Sequence, residues 1–218
     1  MRVCVDDLEE KMEFPPGFSL GEIINQLCTE KISQDRVITR VRVNGEELAE
    51  DESGLFPDVP GGEIDSLELE TEHSFETGYR GIVDAKEYLK KLTSGIQETA
   101  ELFRTGEEKR AHNRYALCME GINWFIQILE GARQVMGLDY GTMVFNRVSV
   151  DSYIENLQHI IGEMLSAQSD EDWVMLSDLL EYELLPTLEG WKGIVPLIEE
   201  AARKRWEEAK GGEATRGG

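Results

Sequence analysis

Two pairs of carboxylates three residues apart, Glu98/Glu101 and Asp178/Glu181, are among the few groupings in this 218-residue chain whose types and spacing could do chemistry. A triplet at four-residue steps, Glu155/His159/Glu163, is another. Residues three or four apart share a helix face, and carboxylates gathered that way can hold a divalent cation. The helical part of the chain carries no Glu-x-x-His pair of the kind bundles use for dinuclear metal centres. At about 100° per residue, the Glu155/His159/Glu163 stripe lies opposite Ile154, Leu157 and Ile161, which makes it a solvated face. Both carboxylate pairs also miss the apolar seams of their helices, and acids are common enough here for chance pairs. His73, His112 and His159 all fall on polar stretches, and no Ser or Cys has an activating context. No Gly-rich phosphate loop is present, and Gly61-Gly62 is a turn signal. No cofactor and no metal is expected.

The charge excludes further classes. The chain has 44 acids against 22 bases, a net charge of −22. Of these, 19 acids and 6 bases fall in the first 73 residues. A field of this sign repels phosphate backbones and anionic lipid heads, so neither nucleic acid nor membrane is an expected partner. The surface instead suits a basic or amphipathic protein partner, although the same charge also serves solubility. Cys4, Cys28 and Cys118 have no paired spacing, and each is read as a small buried hydrophobe. The N-terminus MRVCVDDLEE has no apolar core of a signal peptide, and no stretch reaches the length of a membrane span. A cytoplasmic protein is expected.

The elements that must position these residues change character along the chain. Val3 and Val5, then Met12 and Phe14, alternate as strands, and Pro15-Pro16-Gly17 breaks the chain. Ser19 with Glu22 forms a capping box before a helix whose apolar face is Leu20, Ile23, Ile24, Leu27 and Cys28. Val37, Thr39, Val41 and Val43 read as one strand face, and Asn44-Gly45 as a hairpin turn. An acidic loop with Pro57 and Pro60 precedes a last strand at Leu67 and Leu69. This order, with the Val43-Asn44-Gly45-Glu46 turn, resembles the ubiquitin-like β-grasp fold. Modifiers and sulfur carriers of that family act through a Gly-Gly terminus directly after the last strand. Here that strand continues through Thr71-Glu72-His73 into a helix, and Arg216-Gly217-Gly218 follows a long helical region as a frayed end. The resemblance therefore implies the fold and not the modifier chemistry.

Beyond His73 the period becomes that of helices. Phe75, Gly78, Ile82, Ala85, Leu89, Leu92, Ile96, Thr99 and Phe103 form one heptad seam, stopped at Thr105-Gly106. Ala111, Tyr115, Cys118, Ile122, Phe125, Leu129, Ala132 and Met136 form a second, widened by Trp124, Ile126 and Ile128. So short a turn between two long helices predicts antiparallel packing. Residues 137–147 read as an irregular segment. A third helix is capped by Ser149, with Val150, Ile154, Leu157, Ile161, Met164 and Leu165 on one face. A fourth starts at Ser169 and is interrupted or ended at Pro186, and a last runs from about Thr187 through Trp206 with a kink at Pro196. The expected fold is α+β, with a β-grasp-like domain at 1–73, a mainly antiparallel bundle of four or five helices at 74–210, and a disordered tail at 211–218.

The Glu98-x-x-Glu101 and Asp178-x-x-Glu181 pairs resemble those with which all-α nucleotide pyrophosphohydrolases hold magnesium on neighbouring helices. That resemblance implies a Mg-dependent nucleotide hydrolase, but no bases cluster nearby in sequence to take the phosphates. The segment Asp170–Pro186 offers another kind of site. It sets Trp173, Leu176, Leu180 and Leu184 on one side and Asp178 and Glu181 on the other, with Tyr182 widening the apolar arc. It reads either as a well-buried bundle helix or as an acidic, aromatic-studded groove for a partner helix, with Trp173, Asp178, Glu181 and Tyr182 as contact residues. The resulting expectation is a non-enzymatic protein-binding module or adaptor, an export or assembly chaperone being one form of it. A Mg-dependent nucleotide hydrolase and a self-assembling structural protein, dimerising through leftover heptad surface, are the alternatives.

Overall fold

The computed structural model describes residues 1–15, 17–49, 56–57 and 59–216, with side chains through 210. Pro16, most of the acidic loop before Pro60, and Gly217-Gly218 lie outside the described residues. The chain forms two compact units, Met1–Thr77 and Gly78–Gly218, and is α+β as expected.

The first unit holds strands β1 (Arg2–Val5), β2 (Leu8–Glu10), β3 (Arg36–Val43), β4 (Glu46–Leu48) and β5 (Ser66–His73), with helix α1 (Leu20–Glu30). The sheet order is β2-β1-β5-β3-β4, and the central pair β1/β5 is parallel. This is a mixed five-stranded sheet with one helix packed on it. The Ser19–Glu22 capping box forms as predicted, with the Ser19 N–H donating to Glu22 at 2.8 Å. It sets Leu20, Ile23 and Leu27 against Val3, Val5, Val41, Leu67 and Leu69 in one apolar core.

Four local expectations are corrected in this unit. Asp6 and Asp7 both take positive φ (49° and 65°), so the chain reverses immediately after β1 and the second strand is Leu8–Glu10. Met12 and Phe14 instead pack on the core from irregular chain. A register shift between Ile38 and Arg40 breaks the expected alternation. It turns Ile38 toward the core and leaves Thr39 exposed, which a strict period of two cannot anticipate. Cys28 is exposed, because it falls a step beyond the buried arc ending at Leu27. The glycine pair forms a short 3₁₀ turn, Gly61–Glu63, in which the Gly61 N–H bonds the Phe18 carbonyl at 2.8 Å. A Cβ on Gly61 would collide with that carbonyl oxygen.

Asp6 also ties the hairpin to β5 and β3. Its carboxylate accepts from the Thr71 N–H (2.7 Å), the Thr71 hydroxyl (2.7 Å) and the Arg36 guanidinium (3.1 Å). Burial opposes the charged form, but the Thr71 hydrogen bonds and the Arg36 charge outweigh it and hold the carboxyl below its ordinary 3.8. A depressed folded pKa gives stability that is complete above the unfolded value and lost as pH falls through the folded one. Asp6→Asn is therefore expected to be less stable than wild type at neutral pH, with the gap narrowing from about pH 4 downward. Denaturation midpoints across that range check it; a gap that widened in acid would contradict it.

The second unit contains α2 (Ser74–Arg104) from Gly78 onward, α3 (Glu108–Met136), a small hairpin β6/β7 (Val144–Phe145, Val148–Ser149), α4 (Val150–Ser169), α5 (Trp173–Asp178) and α6 (Leu185–Arg216). Both heptad seams are buried, from Ile82 to Phe103 in α2 and from Ala111 to Met136 in α3. Facing residues establish the directions. Gly78 meets Ala132, Gly81 meets Ile128, and Thr99 meets Cys118 at 3.4 Å, so α2 and α3 run antiparallel. Tyr79–Trp206 and Lys86–Glu199 make α6 antiparallel to α2, and Asn156–Thr187 with Tyr153–Trp191 make it antiparallel to α4.

Several boundaries differ from expectation. The segment after Gly137 is a hairpin whose Asn146 and Arg147 take positive φ (50° and 70°). Gly193 lies against the Phe145 ring, where a Cβ would clash. In α4 the buried positions include Ile160, while Ile161 is half-buried and Leu165 exposed, a phase shift of one residue. That helix runs through Ser169, and Asp172 caps α5 by accepting from the Met175 N–H at 2.9 Å. Of the two readings of Pro186, the structure shows an interruption and not an end. Leu179–Leu184 form a π-helical turn between α5 and α6, and the Leu185 N–H bonds the Leu180 carbonyl, one residue further back than in an α-helix. The wider turn relieves the clash of the proline ring with the preceding carbonyls. Helix α6 continues to Arg216, into the expected tail. Among the described residues no helix is long and apolar enough to cross a membrane.

Candidate partner-binding surface

The continuous helix of α5, the π turn and α6 positions the candidate surface. Its buried side is Leu176, Leu179, Leu180 and Leu184, and the Ser177 hydroxyl donates to the Ala100 carbonyl at 3.1 Å, pinning α5 to α2. The opposite side leaves apolar side chains in water: Val174 is 75% exposed, Met175 46% and Tyr182 64%. The sequence pattern pointed to Tyr182 but not to Val174 or Met175.

Trp173 is half-buried on the apolar side that the helical wheel gives it. Its ring stacks on Phe103 (5.8 Å, 7°) and meets the edge of His112 (4.4 Å). It is therefore an internal contact that anchors the start of α5, and its partners are already inside the unit. His112, which falls on a polar stretch of sequence, is half-buried in the same aromatic cluster, which also includes Tyr115 packed on Phe103.

Asp178 is exposed and Glu181 half-buried on the outward side. Asp170, Glu171, Asp178, Glu181 and Glu183 have no ion-pair partner within 4 Å among the described residues, and no Lys or Arg occurs between 169 and 191. Elsewhere in the unit most exposed acids are matched: Glu98 by Arg114 (2.7 Å), Glu200 by Arg203 (2.8 Å), Glu207 by Arg203 (2.6 Å). The uncompensated charge thus coincides with the exposed apolar side chains.

The two carboxylate pairs are partly brought together. Glu98, Glu101 and Glu181 line a cleft of about 440 Å³ between α2 and the π turn, with Gln97, Arg104 and Leu185; Asp178 is not among its lining residues. Glu98 is occupied by Arg114 and Glu101 by Arg104. Among the described residues no group of three or more His, Cys, Asp or Glu could hold a metal ion. The Glu155/His159/Glu163 stripe is solvated as expected, His159 lying 3.6 Å from Glu163. Incubation with nucleoside triphosphates and Mg²⁺ is expected to release no phosphate above background. Turnover that disappeared in Glu101→Gln and Glu181→Gln would assign the cleft to hydrolysis instead.

Comparison with known proteins adds a family and little chemistry. The DNA topoisomerase 1 of Streptomyces coelicolor is 28% identical over 145 residues, which are 65% of this chain and 14% of that protein. The chain thus spans about one seventh of that relative's length. No solved structure matches the chain. Residues 82–194, more than half of the chain and most of α2 to α6, match one family model, and the chain belongs to that family, Domain of unknown function (DUF8042).

Proposed function

We propose that this chain is a non-enzymatic protein-binding module of the cytoplasm whose helical unit engages its partner through the outward side of α5 and the π turn. The observation that carries this is the coincidence of exposed Val174, Met175 and Tyr182 with carboxylates that have no ion-pair partner. Solvated apolar side chains grouped on a well-packed helix are what an interface core needs, and unpaired charges at its rim add partner choice. The relative's name refers to DNA, but a chain of net charge −22 repels a phosphate backbone, so DNA binding is not carried over. The first unit is read as a relative of the ubiquitin-like fold used as a domain and not as a conjugated modifier, since β5 leads directly into α2.

Site-specific photo-crosslinking in the cell of origin tests this reading. A crosslinker at position 175 or 182 is expected to yield discrete protein adducts, while one at position 159, on the solvated face of α4, yields none. Adducts at 159 as abundant as those at 175 and 182, or none at any of the three, would contradict it.

A further inference from the structure

We infer that the partner presents a basic amphipathic helix to this surface, its apolar side on Val174, Met175 and Tyr182 and its Lys or Arg side chains toward Asp178 and Glu181. The inference rests on the proposed binding role and adds the chemistry of what is bound. Three observations lead to it.

The first is the local charge balance. Across residues 169–191 there are seven acids and no base, so this segment supplies no cation of its own to the carboxylates of α5 and the π turn, and Arg104, in the cleft beside Glu181, is bonded to Glu101. Carboxylates flanking apolar side chains resist burial under a neutral or acidic partner, since each would lose hydration without a counter-charge. A basic partner supplies the missing charge, which makes the same residues favourable and selective.

The second is the continuation of the surface into the cleft. Glu181 belongs both to the outward side of the π turn and to the wall of the 440 Å³ cleft shared with Gln97 and Arg104 of α2. A long basic side chain from a helix lying across Tyr182 can reach into this cleft while its backbone stays on the rim. Lys and Arg carry an apolar stem and a charged head, a match for a site with apolar side chains outside and Glu181 at the cleft wall, where Glu98 and Glu101 are already paired with Arg114 and Arg104.

The third excludes another occupant. A second copy of this chain brings another −22 of net charge and the same uncompensated surface, so self-docking through α5 and the π turn sets like charge against like.

Two labelled synthetic helices test this against the full chain: an 18-residue Leu/Lys amphipathic peptide and a Leu/Glu peptide with the same apolar face, followed by fluorescence anisotropy. The Leu/Lys peptide is expected to bind and the Leu/Glu peptide not to. Binding should weaken at least about tenfold in the double variant Asp178→Lys, Glu181→Lys, and also in Tyr182→Ala. It should change less than about twofold in Glu155→Lys, Glu163→Lys, which makes the same change of net charge on α4. Equal weakening in both double variants would mean that the overall field and not this surface attracts the peptide, and would overturn the inference. So would failure of the Leu/Lys peptide to bind. Equal binding of both peptides, lost in Tyr182→Ala, would overturn the basic partner while leaving the binding surface in place. Position-specific crosslinks at 175 and 182 without Leu/Lys binding would separate the two readings in the same way.

Discussion

Trp191→Ala is expected to cost the helical unit about 3–5 kcal/mol, the range for emptying a fully buried aromatic site. Trp191 is fully buried on α6, with its ring edge-on to Phe125 of α3 (5.4 Å) and Tyr153 of α4 (6.3 Å), so it links three helices at once. Trp191→Phe should cost only about 1–2 kcal/mol, because it keeps most of the packing and Nε1 makes no hydrogen bond to lose among the described residues. Urea denaturation of the two variants decides this. If Trp191→Phe were as damaging as Trp191→Ala, the indole N–H would have a partner, and the centre of the unit would be a polar site.

Ile96→Ala and Ile122→Ala should each cost about 2–5 kcal/mol. Both side chains are fully buried, one in α2 and one in α3. The antiparallel pairing of these helices places Ile96 and Ile122 in one continuous core, and about 5–15 kcal/mol is all that a typical domain has. His159→Ala, whose side chain is 72% exposed, should stay within about 0.5 kcal/mol of wild type. Denaturant melts of the three variants compare them directly. A His159→Ala variant as unstable as Ile122→Ala would mean that the α4 stripe is buried, and would reopen the Glu155/His159/Glu163 grouping as a site.

The sequence made the long regular elements legible and the interruptions less so, for physical reasons visible in particular residues. The α2 and α3 seams could be read because each repeats an apolar residue over many turns, so a single ambiguous position does not move the phase. The capping box at Ser19 and the turn at Asn44-Gly45 could be read because their chemistry is local. Asn44 (φ 53°) and Gly45 (φ 83°) adopt the positive values that the pair favours. Asn44 Oδ1 further accepts from the Asp65 and Ser66 N–H groups at 2.8 and 3.0 Å, a long-range bond that no local pattern reveals.

The misreadings arise where one residue is inserted or tertiary packing intervenes. A bulge near Thr39 reverses the strand phase, and a π turn lets the helix pass Pro186. The Asp6-Asp7 and Asn146-Arg147 hairpins use non-glycine residues at positive φ, a weaker signal than Asn-Gly. On α5 and the π turn the helical wheel separates Asp178 and Glu181 from the buried leucines but sets Tyr182 with the apolar arc, and the structure leaves Tyr182 64% exposed. Trp173 keeps the apolar side that the wheel gives it, while its partners Phe103 and His112 lie far away in sequence, and only the fold brings them to it.

Amide hydrogen exchange of the full chain, with and without the Leu/Lys peptide, tests the central claim most directly. Added protection is expected in Trp173–Leu185 and in the facing turns of α2 around Gln97–Arg104, with α4 from Ser152 to Glu163 unchanged. Protection spread evenly over the acidic surface, or confined to α4, would contradict a partner site on α5 and the π turn.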